Sequence, residues 1–187
     1  MKTAICTLKS ISPYTQSRYH DTPKENREGA DVYELRTWRE KAHYLPDTGE
    51  IFIPAMALKQ SLDAAAKFQS IQIPGKGKST YTKHFVSGVL PDHRPIVIGH
   101  NKDEIEPKWI LANADGVRGS GKRVKRAFPL IPEWEATARF FVVDDTITKD
   151  VFEEHLKASG QFIGIGQFRP QNGGFNGRFI VEAVRWE

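Results

Sequence analysis

The sequence predicts an α+β fold, and three observations carry that reading. An alternating apolar and polar run opens the chain. Two stretches with helical spacing of apolar residues lie at 55–69 and 148–158, and runs rich in aromatic and β-branched residues lie at 134–143 and 179–186. The 187 residues fit one domain with an elaboration, and 39% apolar with 11% aromatic residues is enough for a packed core.

Thr3 to Ser10 sets Ala4, Cys6 and Leu8 on one face of an opening strand, with Cys6 as a small core residue. About 12–45 is polar and aperiodic and reads as a long loop, within which Tyr33 to Ala42 forms a short helix or strand. Pro46-Asp47-Thr48-Gly49 is a turn signal, Ile51 to Ile53 a short strand, and Pro54 a helix start. Met56, Leu58, Leu62, Ala65, Ala66 and Phe68 then stripe a helix over 55–69. Phe85 to Val89 and Pro95 to Ile98 read as strands, and about 99–132 as an irregular insertion or hairpin. Trp134 to Val143 is a strand, and Asp144-Asp145-Thr146 caps a helix whose apolar side is Val151, Phe152, His155 and Leu156 and which Gly160 stops. The closing strand places Phe179, Val181, Ala183 and Arg185 on one side.

No apolar run reaches the roughly 18 to 20 residues that span a bilayer, and the opening residues lack a signal-peptide core, so a soluble, cytoplasmic protein is expected. A single cysteine excludes an internal disulfide and a Cys-rich zinc site. Residues 71–130 hold 11 Lys and Arg against 5 Asp and Glu, whereas the rest holds 16 against 18. The net charge of +4 is therefore local, and a local positive field attracts polyanions, nucleic acid foremost.

Three segments carry candidate chemistry. Arg118-Gly119-Ser120-Gly121-Lys122-Arg123-Val124-Lys125-Arg126 puts five cations in nine residues, suited to phosphates; Lys76, Lys78, Lys83 and His84 form a second basic footprint, without Walker spacing. Between the second helix and the last strand, Gly164, Gly166, Gly173, Gly174 and Gly177 fall within fourteen residues. Phe168 and Phe175 there offer stacking faces and Arg169 and Arg178 planar donors, a combination that suits a nucleic-acid backbone and its bases. The third segment runs from Asp47-Thr48-Gly49-Glu50 through Ile51-Phe52-Ile53-Pro54 to Leu58-Lys59.

A turn of Asp-x-Gly character, a strand ending Ile-Pro, a helix opening Leu-Lys and a glycine loop before a terminal strand together resemble the RAMP (repeat-associated mysterious protein) superfamily. The likeness is greatest to the backbone subunits of CRISPR effector complexes and covers most of the chain. It implies a modified ferredoxin-like, RRM-type domain over 1–187, with 99–132 as a thumb-like insertion. It also implies single-stranded guide RNA as ligand, further copies of the chain and other effector subunits as partners, antiviral defence as setting, and no cofactor. By position, Lys59 and its neighbours approach the RNA. Ala55-Met56-Ala57 stands where that superfamily commonly has a small-Ser-Ser run.

The resemblance also admits an endoribonuclease, with Asp31 (or Asp21) promoting metal-assisted cleavage or with His20, His43 or His84 as acid–base groups. A phage protein that imitates a backbone subunit to inhibit an effector is a third reading. His84, His93 and His100 match no zinc spacing, so no metal site is expected, and a non-catalytic role ranks first.

Overall fold

A computed structural model of the chain describes residues 1–113, 119 and 121–187. In chain order its elements are β1 (Lys2–Ser10), β2 (Tyr14–Thr15), α1 (Ala30–Thr37), β3 (Glu50–Ile53), α2 (Ala55–Gln69), α3 (Thr82–Gly88), β4 (Val89–Pro91), β5 (Ile96–Asn101), β6 (Glu106–Asn113), β7 (Arg123–Ile131), β8 (Glu135–Val142), α4 (Lys149–Ala158) and β9 (Phe179–Trp186). The fold is α+β and its sheets are antiparallel.

The main sheet has the order β4-β8-β1-β9. Ala4, Cys6 and Leu8 of β1 face Phe140, Ala138 and Ala136 of β8, and all six are buried. Phe152 of α4 lies on this face, its ring 5.6 Å from Phe140 and 5.7 Å from Trp186. Leu58, Leu62 and Phe85 from α2 and α3 join the same core. Burial raises the Cys6 thiol to about 12, as expected of a cysteine used for packing.

Two smaller sheets flank this layer: β3 pairs with β5, and β6 with β7 in a hairpin to which β2 adds at Ile131 and Leu130. Of the irregular insertion or hairpin expected over 99–132, the described residues form the hairpin, although each strand contains a proline. Pro107 stands directly opposite Pro129, two residues along from Trp109 opposite Ala127, whose own N–H points out of the ladder toward Glu34. Both prolines thus occupy positions whose missing N–H takes nothing from the ladder.

Four local expectations are corrected. Phe85 to Val89 is mostly helix: α3 runs through Gly88, and only Val89 to Pro91 is strand. Within the long loop, by contrast, the short helix or strand expected over Tyr33 to Ala42 is helical, as the end of α1 and a 3-10 turn at Trp38–Lys41. Gly160 does not stop α4, which continues as a π-turn over Ser159–Ile163 and ends at Gly164 with φ +72°; a Cβ on Gly160 would sit 2.1 Å from the Phe179 carbonyl oxygen, so that glycine admits β9. In β9 the alternation breaks. Leu8 faces Val181 but Thr7 faces Ala183, so Glu182 is an extra residue, and Val184 and Trp186, not Ala183 and Arg185, continue the inward face. The cap of α4 is Thr148, whose hydroxyl accepts the Val151 N–H, while Asp144 accepts from Thr146.

Candidate nucleic-acid interface

The hairpin has two dissimilar faces, because side chains alternate along each strand. On one, Phe128 of β7 stands opposite Lys108 of β6. The Phe128 ring meets that of Phe168 edge-on at 5.4 Å, Lys41 lies 5.1 Å over Phe128, and Lys108 lies 5.7 Å over Phe168. The glycine-rich loop is thereby joined to the hairpin by a seam of two rings and two cations, all partly accessible. On the other face Arg123, Lys125, Trp109 and Leu111 are exposed. Exposed Lys122 precedes them; none of these three cations has an acidic partner among the described residues. Arg118 and Ser120 lie outside the described residues.

Arg126 behaves differently. It donates to Glu34 at 3.2 Å, and Glu34 is buried. The Glu34 carboxylate also accepts from Lys41 and from the Ala127 N–H. Burial pushes this carboxyl up, but those hydrogen bonds outweigh burial and hold it below its usual range. Arg126 is therefore part of a structural ion cluster rather than a free phosphate donor.

Lys59 is corrected outright. It is 4% exposed, is paired with Asp63, and donates to the carbonyls of Phe85 and Val86 at 3.2 and 3.3 Å. Its charge caps the C-terminal turn of α3, the end where a cation is favourable, and it cannot approach an RNA backbone. Lys76 and Lys78 are exposed in the α2–α3 connection and Lys83 on α3, a helix that packs on α2 and β4.

The glycines serve the chain itself. A Cβ would come within 1.8 Å of the Phe168 carbonyl oxygen at Gly174, 1.8 Å of the Ile165 carbonyl oxygen at Gly177, 2.2 Å of the Thr15 carbonyl oxygen at Gly166, and 2.7 Å of Pro170 at Gly164. Gly173 has open space around it. The loop is laced to residues 11–16: Gln167 donates its N–H to Thr15, Gly177 to Pro13 and Arg178 to the Ser12 hydroxyl, while Ile11 donates to Arg178 and the Thr15 hydroxyl to Gln167. At Gly164, Gly166, Gly174 and Gly177 the missing side chain is thus required by close internal packing. Phe175 is exposed with the Arg178 guanidinium 5.8 Å over its ring, and Arg178 lines a separate cavity of about 390 Å³ with Lys157 and Phe179. Arg169 is half-buried with its Nε–H unpartnered among the described residues.

Of the alternative catalytic residues, His20 bonds Thr22 and stacks on Tyr33, while Asp31 lies at the start of α1 in a groove with Leu35, Trp109, Leu111 and Lys125. No group of three His, Cys, Asp or Glu side chains able to hold a metal occurs among the described residues. The pair that spacing could not reveal is His84 and Asp144, sixty residues apart, with Nδ1–H donating to Oδ2 at 2.6 Å. Gly88 permits this approach, since a Cβ there would lie 2.4 Å from that of Asp144. Burial raises the Asp144 carboxyl, but His84 and Thr146 more than offset it and leave it lowered. His43 packs against Phe52, and its pKa is lowered by burial and by Arg18.

No family model matches the chain, and no curated protein matches it. Solved structures do. The fold is similar to a chain of the Type III-B Cmr-beta bound to cognate target RNA, with 11% identity and TM-score 0.55 over 99% of this chain. This chain spans 60% of the length of that one. It is also similar to Cmr6 from Pyrococcus furiosus, with 11% identity and TM-score 0.51 over 97% of this chain and 99% of that one. The resemblance to RAMP-type subunits holds in the fold. Among the described residues no helix is long and apolar enough to cross a membrane.

Proposed function

We propose that the protein is a RAMP-type subunit of a CRISPR ribonucleoprotein that binds single-stranded RNA, a guide RNA by that reading, and assembles along it with copies of itself and other subunits. The observation that carries this is the hairpin β6–β7, with Arg123 and Lys125 on it and Lys122 before it, none with an acidic partner among the described residues, and the Lys41–Phe128–Phe168–Lys108 seam at its side. Cations without acidic partners suit phosphates, and rings beside cations suit bases. The strand order β4-β8-β1-β9, with α2 and α4 supplying its core, supports a modified ferredoxin-like, RRM-type domain in which the hairpin is the thumb. Fold likeness to Cmr6 over nearly its whole length supports the assignment. The test is purification without nuclease treatment, followed by extraction: RNA of defined length is expected. Protein free of nucleic acid that also fails to retain an added single-stranded RNA would overturn the proposal.

One observation favours the endoribonuclease as a second reading. A histidine held by a carboxylate through Nδ1 presents Nε2 as a general base, and His84–Asp144 has that form. Cutting of single-stranded RNA that is lost in both His84→Ala and Asp144→Asn would place this reading first.

A further inference from the structure

The groove between α1 and the hairpin is lined by Asp31, Leu35, Trp109, Ile110, Leu111 and Lys125 and encloses about 480 Å³. Trp109 is 42% exposed, whereas Trp38 and Trp134 are buried and Trp186 packs on Phe152. Among the described residues the Trp109 indole has no ring or cation partner. Leu111, 63% exposed, and Leu35, 61% exposed, flank it.

Cross-strand register sets the chemistry around this ring. Trp109 faces Ala127, Leu111 faces Lys125 and Asn113 faces Arg123, so Lys125 and Arg123 rise from the same side as the indole. An apolar protein partner seated here would bury the Lys125 ammonium with Asp31 as the single carboxylate among the described residues that line the groove, which is unfavourable. A nucleotide satisfies both parts, its base against the indole and its phosphate at Lys125 and Arg123.

We infer that this groove is a nucleobase subsite, in which Trp109 stacks on one unpaired base of a single strand while Lys125 and Arg123 take the adjoining phosphates. The inference rests on the proposed RNA binding and deepens it. It also places the subsite on the hairpin face away from the glycine-rich loop, so that a strand crossing the hairpin would be gripped on both sides.

The test is titration of the full chain with a short oligouridine, read by tryptophan emission and by anisotropy of a labelled oligomer at several salt concentrations. The oligomer is expected to change the emission, and the change should vanish in Trp109→Phe. Trp109→Leu, which keeps an apolar side chain but no ring, should weaken binding by about five- to a hundredfold, whereas Trp109→Phe keeps most of it. Because the indole meets no phosphate, the salt slope should be unchanged in both. If wild type binds salt-dependently while emission and the Trp109→Leu affinity do not move, the subsite is refuted and RNA binding stands. If wild type does not bind, both fall. Concentration-dependent self-association without RNA that Trp109→Leu abolishes would assign the groove to a second copy and overturn the inference. Thermal melts accompany each variant, and Trp109→Phe, which keeps a ring in place, carries the emission test should Trp109→Leu not fold.

Discussion

The Glu34 carboxylate accepts the Ala127 N–H at 2.7 Å, across 93 residues of chain. Its partner Lys41 donates to the carbonyl of the same residue at 3.0 Å. Two side chains, ion-paired to each other, thus fill the two backbone groups that β7 turns away from β6, as a neighbouring strand would. Glu34→Ala leaves Lys41 half-buried without its acid and Ala127 unsatisfied, and should cost about 3 to 5 kcal/mol in denaturant unfolding. The sign with pH follows from the lowered carboxyl: its stabilisation is complete above the ordinary value near 4.3 and is lost as acid takes the pH down through the lower folded value. Wild type should lose stability over that acid range, and Glu34→Gln should lose less.

The hairpin cations separate into two classes by their partners. Lys122→Ala, Arg123→Ala and Lys125→Ala combined should weaken binding of single-stranded RNA across sequences and lower the salt slope by roughly 0.7 for each phosphate no longer neutralised, without shifting the melting temperature. Arg126→Ala should instead lower stability through Glu34, which a melt separates from binding.

The glycines should rank by their neighbours. Gly174→Ala and Gly177→Ala drive a Cβ into backbone carbonyls and should each cost about 3 kcal/mol or more, visible in the melt before any binding assay. Gly173→Ala meets no atom and suffers only from its φ of +76°, about 1 to 2 kcal/mol. Equal effects at 173 and 174 would contradict the packing account.

His155 is fully buried, stacked on Phe85 at 4.4 Å with Tyr81 edge-on, and its Nδ1–H donates to the Val151 carbonyl. Burial lowers its pKa, so the unfolded chain takes up the proton first. Its contribution is complete above about 6.5 and is lost as pH falls from there to the folded value. His155→Phe should flatten the stability profile below about pH 6.5 relative to wild type. It also removes a buried Nε2 that has no partner among the described residues.

Local periodicity made the outer elements legible. The run from Ala55 to Gln69 has the bounds its apolar stripe predicts, and β1 buries Ala4, Cys6 and Leu8 as its alternation requires. Where tertiary contact decides, the pattern misleads. Lys59 looks like a surface cation until α3 folds over it, and Phe85 looks like a strand residue until α3 brings it against His155. The cations of β7 were visible, but 99–132 showed no clear period, so the alternation that separates Phe128 from Trp109's neighbour Ala127 was not. Glu34 and Lys41 had no sequence signal, nor did the pairing of the candidate His84 with Asp144, because their roles are set by contacts to the Ala127 backbone and across sixty residues.

The lacing of residues 11–16 into 164–178 bears on biosynthesis. Central strand β1 has β8 and β9 as its neighbours, and Ser12, Pro13 and Thr15 all bond to the glycine-rich loop. At about 5 to 20 residues per second, a ribosome leaves the first strand without either neighbour for roughly six to twenty-six seconds, and without β9 for roughly nine to thirty-five. Throughout that interval Ala4, Cys6 and Leu8 are an unsatisfied apolar edge on a nascent chain. The fold is thus completed late and at long range, with chaperone capture or aggregation competing until the glycine-rich loop emerges.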